Sequence, residues 1–180
     1  MPATGPTTTL VLMGPTGVGK TVVAERMQAS LGWAYLDADD LHPPENVALM
    51  AAGVPLDDAH REPWLRAVAA WVGEREADGE DALVACSALR HRYRAVLRDG
   101  HPSVLFAQLA PDPDVIAARL QHRHHQFMPA SQLTDQLETL EDLTPDEPGV
   151  RLPVSASWSA DDVGRRLTAL LGLVAADGRE

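Results

Sequence analysis

The sequence predicts an α/β fold of three layers, in which helices cover both faces of a five-stranded parallel sheet. Two observations along the 180 residues lead to this prediction: short apolar runs alternate with amphipathic segments, and a glycine-rich loop joins the first run to the first amphipathic segment. Such alternation is typical of parallel strands linked by right-handed helical crossovers. The length suits one domain, which we place at residues 10–175 after a disordered tail at residues 1–9.

The strands are predicted from apolar runs at residues 10–13, 33–36, 82–86, 104–109 and 150–154. In the last run, Pro153 cannot donate a ladder hydrogen bond, which marks that strand as short or at an edge of the sheet. The first helix has apolar residues spaced by four and ends before Gly32, a residue suited to the position just after a helix. A short second helix is predicted to run from Pro44 to a stop at Gly53.

The remaining helices are predicted from their apolar faces and start signals. A longer helix carries Trp64, Leu65 and Val68 on one face, and Arg61 is expected just before it. The next helix is expected to start at Ser87, directly after the third strand. Later helices are predicted from an N-cap at residue 112, from leucines at residues 133–140, and from a capping-box pattern at residues 159–162.

The loop after the first strand has the composition of a phosphate-binding loop. Residues 14–21, Gly-Pro-Thr-Gly-Val-Gly-Lys-Thr, match the pattern G-x-x-x-x-G-K-[ST], and a strand precedes them and a helix follows. Glycines let the backbone approach a triphosphate, and the helix N-terminus favours negative charge. Lys20 is the only lysine beside 14 arginines, which supports a specific role for its compact ammonium group. The predicted nucleotide-binding residues are Gly14, Thr16, Gly17, Val18, Gly19, Lys20 and Thr21.

An acidic turn follows the predicted second strand. Asp37, Asp39 and Asp40 stand within four residues, at the strand end that shares its rim with the phosphate loop. Two carboxylates at this rim allow one to serve Mg²⁺ while the other faces the acceptor. We predict that Asp37 serves Mg²⁺ with Thr21 and that Asp39 faces the acceptor. The plain alternative is a solvated acidic turn without a ligand.

A basic, poorly patterned segment interrupts the later helices and resembles a lid, which we place at residues 121–141. Arg119 and Arg123 are one helical turn apart and are predicted to reach a bound triphosphate when the lid closes. Three histidines at residues 122, 124 and 125 leave a metal site as an alternative, although no regular ligand spacing supports it.

Several functional classes are disfavoured by the sequence. The third strand ends without the acidic residue that motor-type ATPases use to activate water, and the single asparagine, Asn46, belongs to no guanine-reading motif. A net charge of −11 disfavours nucleic acid and anionic membranes as partners, and no apolar run is long enough to span a bilayer. The lone Cys86 excludes an internal disulfide, and we expect a cytoplasmic protein.

The motifs together resemble the gluconokinase family of P-loop small-molecule kinases. The resemblance covers residues 10–145, in the family's order. It is carried by the phosphate loop and by Leu-Asp-Ala-Asp-Asp-Leu-His-Pro at residues 36–43. It continues in Pro-Leu-Asp-Asp-Ala-His-Arg-Glu-Pro-Trp-Leu at residues 55–65, Ala-Cys-Ser-Ala-Leu-Arg at residues 85–90, Phe-Met-Pro at residues 127–129 and Gln-Leu-Glu-Thr-Leu-Glu at residues 136–141.

The resemblance implies a P-loop kinase fold and ATP-dependent phosphorylation of D-gluconate to 6-phospho-D-gluconate, with Mg²⁺, in a cytoplasmic homodimer. It implies that Lys20 and Thr21 hold phosphate and metal and that Asp39 is the base or orienter for the attacking hydroxyl. It further implies a substrate-binding set that contacts the carboxylate or phosphoryl group through arginines and the hydroxyls through other polar groups: Arg61, Arg94, His42, Asn46 and Gln136.

The chain also departs from the family pattern. Asp57 stands where Asn is usual, Arg90 where Lys is usual, Leu137 where Phe is common, and His125-Gln126 replace Gly-His in the lid. Two alternatives stay open, of which the altered lid motivates the second. One is a kinase for another small hydroxy acid such as shikimate, and the other is an ATP-binding module whose catalysis is impaired.

Overall fold

The computed structural model describes residues 6–112, 115–116 and 130–178, and contains one five-stranded, all-parallel sheet. The strands are β1 (Thr9–Met13), β2 (Ala34–Asp37), β3 (Ala82–Ala85), β4 (Val104–Pro111) and β5 (Gly149–Val154), in the spatial order β2-β3-β1-β4-β5. The predicted fold class and all five strands are confirmed. Pro153 lies on an edge strand, as predicted from its missing N–H.

Helices connect the strands and cover both faces of the sheet. They are α1 (Lys20–Leu31), α2 (Pro44–Ala51), α3 (Asp58–Asp78), α4 (His91–Arg98), α5 (Ala130–Thr139) and α6 (Ala160–Leu171), with short 3₁₀ turns at Ala38–Leu41 and Ala176–Gly178. The capping box predicted for the last helix is present, since Ser159 accepts from the Asp162 N–H and Asp162 accepts from the Ser159 N–H.

The alternation of side chains along β1 divides the apolar core into two layers. Leu10 and Leu12 pack with α1 and α6 on one face, and Val11 and Met13 pack with α3 and α4 on the other. All five residues of β1 are buried, which places this strand at the centre of the sheet. The loop that leaves its carboxyl end is therefore held by well-packed structure on both sides.

Two predicted helix starts are wrong. The helix α3 begins at Asp58, capped by Asp57, so Arg61 lies within its first turn instead of before it. The helix α4 begins at His91 instead of Ser87, because residues 86–90 form an irregular loop in which Ala88 has a φ of 41°. A left-handed residue cannot continue a right-handed helix.

Part of the predicted lid lies outside the described residues. Residues 113–114 and 117–129 are not described, and these include Arg119, Arg123 and the three lid histidines. The described part of the lid segment is α5 and the two residues that follow it. Within the described residues, no helix is both long and apolar enough to cross a bilayer.

Candidate active site

The phosphate loop joins the buried end of β1 to the first turn of α1. Gly14, Gly17 and Gly19 have φ values of 139°, 88° and 100°, which other residues rarely adopt. A Cβ on Gly14 would lie 3.0 Å from the Leu109 carbonyl oxygen, so only glycine fits between β1 and β4 here. Gly19 caps α1 without a side-chain hydrogen bond, which leaves the first-turn N–H groups of the helix for an anion.

Lys20 lies along the inside of this loop. Its Nζ donates to the carbonyl oxygens of Gly14 at 2.9 Å and Pro15 at 3.1 Å. The ammonium group therefore lies at the phosphate loop, as the sequence motif predicts, and its charge contributes to the electrostatics of nearby Asp39.

Thr21 and Asp37 bring two side-chain oxygens together where α1 meets the end of β2. The Thr21 hydroxyl donates to Asp37 Oδ2 at 2.9 Å, and Asp37 Oδ1 accepts from the Asp39 N–H at 3.1 Å. A hydroxyl and a carboxylate are hard oxygen donors, the type that Mg²⁺ prefers. No group of three or more His, Cys, Asp or Glu ligands occurs in the described part of the chain, and Mg²⁺ commonly takes its other ligands from phosphate and water. These residues fit the predicted metal.

Asp39 follows on the next turn and faces solvent. Partial desolvation, and then the charge of Asp37, raise the pKa of Asp39, while Lys20 acts in the opposite direction. The side chain is nevertheless 80% exposed, so solvent screens these effects. The carboxylate lies beside the phosphate loop and is accessible to a second substrate.

His42 is held in one orientation by a stacked ring and an amide. Its imidazole lies 4.1 Å from the Trp64 indole, with 15° between the two planes, and its side chain is 4% exposed. Asn46 Nδ2 donates to the His60 carbonyl oxygen at 2.9 Å and lies 3.2 Å from His42 Nδ1. Because a carbonyl oxygen only accepts, Nδ2 is the donor, and Nδ1 of His42 therefore accepts its second hydrogen.

This arrangement leaves the proton of neutral His42 on Nε2, which faces Asp39 Oδ1 at 3.7 Å. Burial, together with the positive charge of Arg61, lowers the pKa of His42 to about 4, so the ring is neutral near pH 7. Asn46 is 2% exposed and uses both amide hydrogens on protein partners. These two hydrogen bonds let Asn46 orient His42, and its predicted contact with substrate stays a prediction.

Arg94, for which a contact with substrate is predicted, is paired inside the protein. Its side chain is fully buried, and its Nε and Nη2 bind the Glu147 carboxylate at 2.5 and 2.9 Å. The remaining donors reach the carbonyl oxygens of Ala88, Glu141 and Asp142. Because all of its N–H groups have protein partners, Arg94 holds the fold together instead of binding substrate.

Arg61 lies near His42, and Gln136 lies at the phosphate loop. Arg61 is half-buried near His42, with Nε donating to the Leu56 carbonyl oxygen at 3.1 Å. Gln136 Oε1 accepts from the Thr16 N–H at 2.7 Å, which brings α5 onto the phosphate loop. The unusual Asp57 pairs with His60 Nδ1 at 2.6 Å. Its hydrogen bonds to His60 lower the pKa of Asp57.

Sequence reasoning missed the second role of Trp64, because its spacing indicated only a core residue. Its indole Nε1 donates to the Ala38 carbonyl oxygen at 2.6 Å, next to Asp39. No local signal reveals this bond, since the two residues are 26 apart. A separate open cleft of about 570 Å³ lies beside α4, but it shares no residue with the phosphate loop or the acidic turn.

The chain is similar to known proteins over most of its length. No family model matches the chain. It is 44% identical over 143 residues to a gluconokinase of Gluconobacter oxydans, which covers 79% of this chain and 80% of that protein. It resembles the solved structure of a gluconokinase from Sinorhizobium meliloti, with a TM-score of 0.79, 39% identity and 93% and 92% of the two chains covered.

A third relative is a sugar kinase from Janibacter, whose unliganded crystal structure covers 97% of this chain and all of its own, with a TM-score of 0.88 and 40% identity. Identity at this level over most of both chains establishes kinship beyond a shared fold. The chain belongs to the gluconokinase family of P-loop kinases.

Proposed function

We propose that this protein transfers the γ-phosphoryl group of ATP to the 6-hydroxyl of D-gluconate. The observation that carries the proposal is the hydrogen bond between Thr21 and Asp37, which joins the phosphate loop to the acidic turn that bears Asp39. A phosphate site and an acceptor site thus meet at adjacent strand ends. Membership of the gluconokinase family supports the choice of substrate.

Charge neutralisation is the task of the phosphate loop. Lys20 and the first-turn N–H groups of α1 bind the phosphates and stabilise negative charge on the transferred group. Arg119 and Arg123 are proposed to add positive charge from the lid. Thr21 and Asp37 would hold Mg²⁺, which would supply positive charge to offset the negative charge of the phosphates.

The acceptor is positioned from the opposite side. Asp39 accepts the hydrogen bond of the attacking hydroxyl and takes its proton as the phosphoryl group is transferred. The Nε2–H of neutral His42 faces the same carboxylate and orients it or a substrate hydroxyl. Arg61 supplies positive charge for the acid end of the substrate, and Gln136 offers its amide to a hydroxyl at the phosphate loop.

We also propose that the enzyme acts as a homodimer in the cytoplasm and that residues 10–175 form one domain with a lid at residues 121–141. The family resemblance supports the dimer and the compartment. The contact of Gln136 with Thr16 supports a lid whose described helix, α5, lies beside the phosphate loop. Sedimentation at micromolar concentration tests the dimer.

A coupled assay of ADP release tests the function. We expect ATP turnover that depends on D-gluconate and is at least tenfold slower with other sugar acids and with shikimate. Lys20→Ala should remove turnover without unfolding the protein. Turnover with shikimate but not gluconate would favour the kinase alternative. Calorimetric ATP binding without turnover on any acceptor would favour the non-catalytic alternative.

A further inference from the structure

Two arginines from separate elements meet on the ring of Tyr93. The guanidinium carbon of Arg61, in the first turn of α3, lies 5.4 Å from the ring centroid, and that of Arg90, just before α4, lies 6.0 Å from it. The Tyr93 hydroxyl donates to Asp58 Oδ1 at 2.6 Å, so the ring itself is held in place. The aromatic ring thus forms a fixed platform for two cations.

Neither of these two guanidinium groups pairs with a carboxylate of the described residues. Arg61 Nε donates to a neutral carbonyl, and the side chain of Arg90 interacts with the ring but makes no hydrogen bond or ion pair within that part of the chain. Both side chains are half-buried. A partly desolvated charge without a counter-ion lowers the stability of the folded protein. The two arginines lack such a partner in the described structure even though the chain carries 26 acidic residues. The arrangement is typical of an anion-binding site.

Arg92 provides an internal contrast. Its guanidinium carbon also lies 5.4 Å from the Tyr93 centroid, but its Nη2 lies 2.5 Å from Asp58 Oδ2. The charge of Arg92 is therefore already balanced by a carboxylate. Three arginines share one ring, and the two unpaired ones are the two that are half-buried.

The backbone on both sides of Arg90 is held by Glu141. The Glu141 N–H donates to the Leu89 carbonyl oxygen at 2.8 Å, and Glu141 Oε2 accepts from the His91 N–H at 2.6 Å. Ala88, with its φ of 41°, is held in turn by a hydrogen bond from Arg94 Nη1 at 3.2 Å. A strained, tightly held loop that presents a half-buried cation is typical of a preorganised binding site.

This loop lies beside the catalytic elements. The Gly14 N–H donates to the Ser87 carbonyl oxygen at 3.2 Å, which attaches the loop to the start of the phosphate loop. Arg61 lies close enough to His42 for its charge to lower the pKa of that ring. The two arginines therefore adjoin the acceptor side of the site, where Asp39 and His42 mark the reacting end.

We propose that Arg90 and Arg61 together bind the carboxylate of the acceptor, and that Arg90 determines specificity for an acid over a neutral polyol. The inference rests on the proposed function, because it assigns the acid end of that substrate. A guanidinium group matches a carboxylate with two parallel hydrogen bonds, and a partly desolvated pair is stronger than an exposed one. This assignment gives Arg90 the role that the sequence predicted for Arg94.

The test compares D-gluconate with D-gluconamide, which keeps the hydroxyls and lacks the charge. In the 180-residue protein, Arg90→Ala should lower kcat/KM for gluconate by about 10- to 100-fold, as expected for loss of a charge-assisted hydrogen-bond partner. It should leave kcat/KM for gluconamide within about threefold, because that substrate has no charge to lose. Arg90→Lys should restore part of the discrimination. Arg92→Ala is the matched control and should keep the discrimination between gluconate and gluconamide.

Three results would overturn the inference: an equal loss for both substrates, an equal effect of Arg92→Ala, or weaker ATP binding without acceptor, which would assign the arginines to phosphate. Failure of the proposed function has a different signature, since the wild-type enzyme would then show no gluconate-dependent ADP release. If the wild-type enzyme is active on gluconate and its Arg90→Ala variant still discriminates against gluconamide, only the role of Arg90 is refuted.

Discussion

The imidazole of His42 is stacked on the indole of Trp64, with ring centroids 4.1 Å apart, and the same indole donates to the Ala38 carbonyl oxygen at 2.6 Å. One side chain thus supports both the turn that carries Asp39 and the ring that faces it. Because Trp64 belongs to α3 and Ala38 follows β2, packing between a helix and the sheet sets the geometry of the acceptor site.

Removing the indole N–H should loosen this arrangement. We expect Trp64→Phe to lower the free energy of unfolding by about 1–3 kcal/mol, because the buried Ala38 carbonyl loses its donor, and to lower kcat/KM several-fold. Denaturant unfolding and the ADP assay measure the two effects. Trp71→Phe is the control, since Trp71 is half-buried in the same apolar layer and its indole makes no hydrogen bond in the described structure. Equal losses in the two variants would contradict the special role of Trp64.

The buried imidazole should make stability depend on pH. The pKa of His42 is lowered to about 4 in the folded state and is about 6.5 when unfolded. Below pH 6.5 the unfolded chain therefore binds a proton that the folded protein does not, and stability falls as the pH drops toward 4. Asp39, whose pKa is raised in the folded state, acts in the opposite direction as the pH falls.

For this site alone we expect a loss of up to about 2 kcal/mol between pH 6.5 and pH 5. Urea unfolding at the two pH values measures it, and His42→Gln should reduce the pH dependence of the unfolding free energy by that amount. If His42→Gln leaves the pH dependence of the unfolding free energy unchanged, that dependence comes from other groups.

The buried ion pair of Arg94 and Glu147 should matter for folding more than for substrate affinity. Arg94→Met leaves the buried Glu147 carboxylate without its cationic partner, and we expect a loss of about 3–5 kcal/mol in the free energy of unfolding. In the folded fraction at low temperature, KM for gluconate should change less than about threefold, since the donors of Arg94 all serve the protein. Arg98→Met, an exposed change on the same helix, should stay within about 0.5 kcal/mol. A stable Arg94→Met enzyme with a greatly raised KM would restore the role predicted from sequence.

The predicted metal ligands can be separated from their acidic neighbour. We expect Asp37→Asn to raise the Mg²⁺ concentration for half-maximal activity at least tenfold, because an amide binds Mg²⁺ less well than a carboxylate. Asp40→Asn removes one negative charge directly after Asp39 without removing a hydrogen bond found in the structure. It should leave that Mg²⁺ concentration nearly unchanged. Similar shifts in both variants would indicate a general effect of charge instead of ligation.

The phosphate loop and the acidic turn could be predicted because each is a short contiguous segment at the end of an apolar strand. Parallel strands bring such ends to one rim, so Thr21 and Asp37 were expected to meet, and they lie 2.9 Å apart. Helix starts that depend on local caps, such as Ser159, were also predictable. The start of α4 was not, because the left-handed Ala88 is held by residues of other elements.

The fold class and the nucleotide-binding loop could be predicted from the sequence, because spacing and composition encode them locally, and the family was inferred from motifs that resemble it. Which arginine lacks a carboxylate partner depends on the tertiary structure. Arg94 and Arg90 stand four residues apart and have the same charge. Glu147, 53 residues beyond Arg94, pairs with Arg94, whereas Arg90 has no carboxylate partner in the described structure. Burial and long-range pairing, which no local pattern records, set that difference.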